Sequence, residues 1–442
     1  MTEALIGFAI LLALIILIRV PIAFAMGLTG FFGFAVLQGL GFDNFMDFRW
    51  TGPLSMASNR VIDTAQEYGL SVIPLFILMG NLVTKSGLSQ ELYQASNAFL
   101  GHRRGGLSMA TVVACGGFSA ICGSSLATSA TMAKVAMPPM RKFGYSDSLA
   151  TASIAAGGTL GILIPPSVIL VIYGLLTESS IRELFAAGFL PGLLGILLYL
   201  GAVRFVVWRD PSSGPRGEKM SWSERWDALR GVWGVLILFT VVMGGIYLGV
   251  FTPTEAAGVG AGGAFVIALA RRSLSFGDLF NALTDTGRTS AMLFTVLIGA
   301  LIFSDFINRA GLPDELLTLV TSLDIGPMGV ILVILAIYIV LGMVFESLSM
   351  MLLTVPIFYP LVQSLGFDLV WFGIVVVVVT EISLITPPVG MNVFVLSAVL
   401  RDVNPATIFK GVTPFWCADI VRLALIVFIP AISLILPELL YR

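Results

Sequence analysis

Charge is scarce in this sequence: only 11% of its 442 residues are Asp, Glu, Lys or Arg. A water-soluble domain carries about a quarter. The chain is 57% hydrophobic with a mean hydropathy of +0.99. That much apolar surface cannot hide in a soluble core, so lipid is the solvent. Histidine is scarcer still. His102 is the only one, it sits in a short basic loop, and no HExxH pair exists, which excludes the usual zinc chemistry. The three cysteines, Cys115, Cys122 and Cys417, lie in apolar segments and read as small packing residues, not as a disulfide framework. No GxxxxGK[ST] loop occurs, so the chain does not itself use ATP. With a net charge of −2 and no basic patch fit for nucleic acid, that partner is excluded too. No catalytic pair remains, so no enzyme is expected. The first apolar run begins at Ala4 without a basic n-region or cleavage site, and reads as a retained first helix.

What is abundant is long apolar runs: Ala4–Ile18, Phe185–Val207, Trp233–Val250, Val330–Val344 and Phe415–Leu436. A helical span takes roughly 20 apolar residues, whereas a membrane barrel shows short alternating segments. The sequence also repeats itself at an offset of about 222 residues. Ser125-Leu126 matches Ser347-Leu348, Pro138 matches Pro360, Gly144 matches Gly366, and Pro165-Pro166 matches Pro387-Pro388. Several ordered coincidences at a nearly constant offset indicate duplication.

The expected fold is an all-α polytopic membrane protein, built as an inverted-topology repeat of about five crossings plus one re-entrant hairpin each. The expected domains are a first repeat 1–207 with a cytoplasmic-side hairpin 107–138, a cytoplasmic linker 208–231, and an inverted second repeat 232–442 with a periplasmic-side hairpin 327–361. The crossings fall at about 4–18, 22–40, 71–84, 147–176 and 184–207, then 233–250, 255–270, 289–307, 369–399 and 412–437. An odd number per half flips the second half. Loop charge agrees: Arg103-Arg104, Arg141-Lys142, Arg204–Arg230 and Arg271-Arg272 fall on one side, and Asp43–Glu67, Glu178–Glu183, Asp324 and Asp368 on the other. The positive-inside rule makes the basic side cytoplasmic and both termini extracytoplasmic.

Polar residues inside the apolar segments cluster at four places. The first hairpin is centred on Gly123-Ser124-Ser125 with Thr128, and the helix after it reads Gly157–Ser167 around Pro165-Pro166. The second hairpin tip is Glu346-Ser347-Leu348-Ser349, and Ser383–Asn392 surrounds Pro387-Pro388. Paired prolines remove backbone donors and break a helix, and glycine lets the chain unwind cheaply. Freed carbonyls and hydroxyls suit a hard cation, and half-helix N-termini favour an anion. Discontinuous helices and repeat symmetry are how secondary transporters build a midplane site. The competing reading for any one serine is plain helix packing. Glu346 and Glu381 are ionisable groups at depth. Each is a candidate for binding a cation or carrying a proton, and Glu381 equally for a hydrogen-bonded structural acid. Asp305, near a helix end, is expected to reach water.

Gly157–Ser167 (GGTLGILIPPS), Phe251–Gly258 (FTPTEAAG) and Ile385–Asn392 (ITPPVGMN) resemble the signatures of the large, DctM-type membrane subunit of TRAP (tripartite ATP-independent periplasmic) transporters. The resemblance spans essentially the whole chain. It implies import of an organic acid (a dicarboxylate, sialic acid, or another sugar or keto acid) driven by a Na⁺ gradient. It also implies a DctP-type periplasmic substrate-binding protein and a separate DctQ-type small subunit of four helices, with elevator-type movement of a hairpin-bearing domain in the lipid bilayer. Carried onto this chain, sodium falls to Ser124, Ser125, Thr128, Gly161, Ser347, Ser349, Thr386 and Gly390. Substrate falls to Thr159, Pro165, Pro166, Ser167, Pro387, Pro388 and Asn392. The alternative is a stand-alone ion-coupled carrier of the same general fold, which would need no binding protein.

Overall fold

A computed structural model describes residues 2–39, 50–322, 326–343, 345–388 and 390–441. Every named element among them is helical. In chain order they are α1 (Thr2–Ile16), α2 (Ile22–Leu37), α3 (Thr51–Gln66), α4 (Val72–Lys85), α5 (Leu88–Leu100), α6 (Gly106–Cys122), α7 (Ser125–Lys142), α8 (Asp147–Thr159), α9 (Val168–Leu176), α10 (Ile181–Arg209) and α11 (Trp222–Gly231). There follow α12 (Trp233–Tyr247), α13 (Pro253–Ala270), α14 (Phe276–Arg309), α15 (Leu312–Ser322), α16 (Pro327–Leu341), α17 (Ser347–Ser364), α18 (Leu369–Ser383), α19 (Met391–Val399), α20 (Pro405–Phe428) and α21 (Ala431–Tyr441). Six helices among the described residues are long and apolar enough to cross a membrane, and a bent pair, α11 with α12, makes a seventh.

Local chemistry sets many of these boundaries. The hydroxyls of Ser146, Ser180, Ser221 and Thr252 accept N–H groups at the starts of α8, α10, α11 and α13, and Ser221–Glu224 and Thr252–Glu255 form complete capping boxes. Pro253 and Pro405 occupy first-turn positions, where a missing N–H costs nothing.

Several expectations need correction. The acidic stretch Asp43–Glu67 is not only loop, because Thr51–Gln66 is α3 (residues 40–49 lie outside the described residues). The linker 208–231 contains α11. Polar α5 and α15 were hidden because hydropathy reports lipid contact, not helicity. For the same reason α14 begins at Phe276, well before the 289 expected from hydropathy. The expected crossing 412–437 is two helices. The first already begins at Pro405, and the chain breaks before α21 at Pro430, which cannot donate to the helical ladder.

The helices gather into two compact units, each drawn from distant parts of the chain. One holds Met1–Ser71, Gly287–Ile337 and Leu348–Leu369; the other holds Val72–Thr286, Tyr338–Ser347 and Val370–Arg442. In the first unit, α2 packs closely on α14. Gly30 lies over the α14 backbone at Ile302 and Phe303, and Gly299 over the carbonyl of Ala23. Small residues let membrane helices approach this closely. Asp305 does not simply reach water: Arg60 grips it bidentately, Nε to Oδ2 at 2.7 Å and Nη2 to Oδ1 at 2.6 Å. A methyl group on Gly30 would sit 2.6 Å from the Phe303 N and Cα atoms, which cannot rotate away. Gly30→Ala is therefore expected to cost about 1–3 kcal/mol, measured by unfolding in mixed micelles. An unchanged midpoint would show that α2 and α14 separate freely.

In the second unit, α6 and α7 both pack on α8, α19 packs on α7 and α8, and α20 packs on α8 and α10. Val370–Ser383 of α18 is buried on every side, which marks a helix inside protein rather than against lipid.

Candidate functional site

The second unit brings the first hairpin and both broken helices together. α6 ends at Gly123, whose φ of 61° is a left-handed turn that glycine takes cheaply. Ser124 then opens α7, its hydroxyl accepting from the Ala127 N–H at 3.4 Å. The tip is therefore a two-residue reversal. Facing it, α8 stops at Thr159, residues 160–167 leave the helix, and α9 restarts behind Ser167. The Ser167 hydroxyl accepts from the Leu170 N–H at 3.3 Å and donates to the Ile162 carbonyl. The Pro165–Pro166 bond is cis, as is Pro387–Pro388.

Break and tip meet backbone to backbone. A methyl on Gly161 would lie 3.2 Å from the Ser124 carbonyl oxygen, and one on Gly123 3.4 Å from that of Pro166. A methyl on Gly158 would collide with the Ser129 hydroxyl and lie 3.1 Å from the Ser125 carbonyl oxygen.

The second break follows the same plan. α18 stops at Ser383 and α19 restarts after Gly390, whose φ is 53°. Asn392 then reaches α8, its Nδ2 donating to the Ala155 carbonyl at 3.1 Å and tying the two broken helices together.

Four oxygens here are fully buried without a hydrogen-bond partner: Ser119 Oγ, Thr128 Oγ1, Ser129 Oγ and Asn392 Oδ1. Buried polar groups are normally paired. Ser129 and Asn392 meet α8 within one turn of each other, at Gly158 and Ala155. Among the described residues no group of three or more His, Cys, Asp or Glu side chains could hold a metal ion.

The expected site residues divide. Ser124, Ser125 and Gly161 lie together at the tip and break, with Thr128 one turn into α7. Thr159, Ser167 and Thr386 use their hydroxyls internally. Thr386 donates to the Ile382 carbonyl at 2.6 Å and accepts from the Trp416 indole at 3.0 Å. Pro165 and Pro166 are buried, Pro387 and Pro388 exposed, and Gly390 packs against the Phe409 ring. Ser347 is buried at the start of α17 in the second unit, while Ser349 belongs to the first unit and is buried there.

Beside this site lies a charged cluster of which sequence reasoning singled out only Glu381. Arg422 Nη2 contacts Glu381 Oε2 at 2.8 Å and Asp419 Oδ1 at 2.9 Å, with all three side chains 0% exposed. Tyr199 donates to Asp419 Oδ2 at 2.6 Å. The Thr159 hydroxyl donates to the Ala156 carbonyl at 2.7 Å and lies 3.0 Å from the Tyr199 oxygen. The chain of contacts thus leaves the first break at Thr159 and passes through α10, α20 and α18. Glu381 is a paired acid of this brace. The signal was present in the sequence: an Asp and an Arg three residues apart inside the apolar run Phe415–Leu436.

Comparison with known proteins agrees with this architecture. The family model described as "Tripartite ATP-independent periplasmic transporter, DctM component" matches residues 8–432. The C4-dicarboxylate TRAP transporter large permease protein DctM of Pseudomonas aeruginosa is 38% identical over 86% of this chain and 88% of its own length. Its namesake in Rhodobacter capsulatus is 34% identical over 99% of both. The sialic acid TRAP transporter large permease protein SiaM of Vibrio cholerae is 31% identical over 87% of this chain and 90% of its own. The crystal structure of the Alcanivorax borkumensis YdaH transporter aligns with a TM-score of 0.65 at 14% identity, covering 96% and 97% of the two chains, a likeness of fold alone.

Proposed function

We propose a function from one premise: the chain belongs to the DctM family of tripartite ATP-independent periplasmic transporters. It is the large transmembrane subunit of a sodium-coupled importer in a bacterial inner membrane. A periplasmic substrate-binding protein delivers an organic acid to it, and a small four-helix subunit completes the complex. The observation that supports coupling is the contact of the Gly123–Ser124 tip with the break at Gly161 and Pro166. It gathers carbonyl oxygens, beside the unpartnered hydroxyls of Thr128 and Ser129, where Na⁺ can replace its water shell.

Sodium then serves the substrate. Arg422 pairs through Nη2 with Glu381 and Asp419 and its side chain is 0% exposed, so it is not offered to a substrate carboxylate. The N-termini of α7, α9 and α19, which carry partial positive charge, and the bound Na⁺ supply the attraction instead. An anion site assembled this way is weak without sodium, which makes binding of the two interdependent. Movement of the hairpin with the broken helices, elevator fashion, carries both across. C4-dicarboxylates are the first candidates, because the relatives at 38% and 34% identity carry that name, while others are named for sialic acid and ectoine.

The test is uptake into proteoliposomes holding this chain and its small subunit under an inward sodium gradient. Labelled succinate, sialic acid and ectoine are offered with and without the cognate binding protein. Uptake that needs both sodium and the binding protein is expected. Uptake without the binding protein would mean a stand-alone carrier, and sodium-independent uptake would remove the coupling.

A further inference from the structure

The base of the first hairpin carries a basic cleft that the transport reading does not use. Arg103 and Arg104 precede α6, Arg204 lies near the end of α10, and Arg216 lies in the loop before α11. With His102 and Trp208 they line a cavity of about 530 Å³. Its walls are fixed by backbone. The Gly105 N–H donates to the Gly214 carbonyl at 2.8 Å, the Gly217 N–H to the Gly101 carbonyl at 3.0 Å, and an antiparallel bridge pairs Arg104 with Arg216.

Four guanidinium groups lining one cleft repel one another, and no acidic side chain lines it to offset them. Among the described residues none of the four is in an ion pair. Asp210, an acid in the adjoining loop, is taken up by the N–H and hydroxyl of Ser212. Burial, then Arg225, Arg103 and Lys219, holds the His102 imidazole below its ordinary range. His102 therefore adds hydrogen bonding rather than charge near neutrality. The cleft therefore gathers positive charge that its own lining does not offset.

Its surroundings say which anion. Trp208 is 78% and Trp222 76% exposed, and Arg225 lies over the Trp222 ring at 5.0 Å. Exposed tryptophans on a membrane protein sit at the level of the head groups. Leu197 and Phe205, exposed at 58% and 51%, share one face of α10 with Arg204 and Trp208. That face turns from apolar to cationic on reaching the cleft.

We propose that this cleft binds the phosphate head group of an anionic phospholipid, with an acyl chain lying along Leu197 and Phe205 of α10. Arginine matches phosphate oxygens bidentately, and basic pockets beside membrane helices favour such lipids. The head group bridges the 101–106 and 213–217 loops and so steadies the start of α6. The proposal is independent of sodium coupling and of the substrate.

The purified full-length chain, stripped of lipid in neutral detergent, is titrated separately with phosphatidylglycerol, phosphatidylethanolamine and inorganic phosphate, read by thermal shift and native mass spectrometry. Phosphatidylglycerol is expected to bind at least about tenfold more tightly than phosphatidylethanolamine. The Arg104→Gln/Arg216→Gln variant should weaken phosphatidylglycerol roughly twenty-fivefold, about fivefold per arginine, and leave phosphatidylethanolamine unchanged. Arg272→Gln, outside the cleft, should change neither. If the double variant is not monodisperse, Arg204→Gln gives the same reading with a single change on a helix surface. Equal affinity for the two lipids, or variants that bind like wild type, overturns the proposal. So does full protection by inorganic phosphate, which would make this a free-anion site.

Discussion

Arg422→Met is expected to lower the unfolding free energy by about 3–5 kcal/mol, because removing one partner leaves two carboxylates buried without their counter-charge. Glu381 and Asp419 are both 0% exposed, so neither can turn to solvent. The damage should reach the first break, since Thr159 holds one end of the brace through Tyr199. A buried ion pair need not itself stabilise a fold, however, because desolvation offsets much of the attraction. The guanidinium here is under-satisfied, with Nε and Nη1 lacking partners. The triple variant Arg422→Met/Glu381→Gln/Asp419→Asn should therefore recover more than half of the loss. Unfolding in mixed micelles, followed by tryptophan fluorescence, checks both. A single variant within about 1 kcal/mol of wild type would show that water or another cation reaches the carboxylates. A triple variant no better than the single one would assign the loss to the packing of Arg422 against Tyr199, whose ring centroid lies 5.9 Å from the guanidinium carbon.

That brace also shows where sequence reasoning stops. The first hairpin was legible, because a glycine and two serines interrupt an apolar stretch too short to span twice; α6 and α7 reverse at Gly123–Ser124 inside the expected 107–138. The two breaks were legible because paired prolines allow little else. Which way a hydroxyl points was not. Thr159, Ser167 and Thr386 look like Thr128 in sequence, yet each spends its proton on a carbonyl three to five residues back, an option open to Ser or Thr in or beside a helix. Thr128 and Ser129 find no such partner. The partners of Glu381 were equally out of reach, since Arg422 lies 41 positions away and only α18 and α20 packing side by side reveals the pair. Expecting 43–67 to be loop and 208–231 to be linker, and leaving α5 unassigned, was an error of a different kind. These helices are polar enough to leave the hydropathy pattern; α11 opens on the Ser221–Glu224 capping box, while α3 and α5 begin without a side-chain cap.

Gly158→Ala should cut sodium-dependent uptake by tenfold or more, about 1.4 kcal/mol in the coupled step, while the protein still folds. Away from other groups this substitution would favour the helix by about 1 kcal/mol. Here the new methyl meets the Ser129 hydroxyl and presses on the Ser125 carbonyl at 3.1 Å. The tip must then retreat from α8, separating the oxygens proposed to hold Na⁺. A ligand shell loosened in this way weakens the ion more than it weakens the fold. The half-saturating sodium concentration should therefore rise before the thermal midpoint falls. Gly161→Ala should act in the same direction, its methyl lying 3.0 Å from the Gly158 carbonyl oxygen and 3.2 Å from that of Ser124. Gly262→Ala is the control, since a methyl there meets nothing within 4 Å, and it should leave uptake intact. Proteoliposome uptake across a sodium titration reads all three. A Gly158→Ala protein with wild-type sodium dependence would move the ion away from the first hairpin tip. An unchanged half-saturating concentration with a lower maximal rate would mean that the contact gates movement of the hairpin, not binding of the ion.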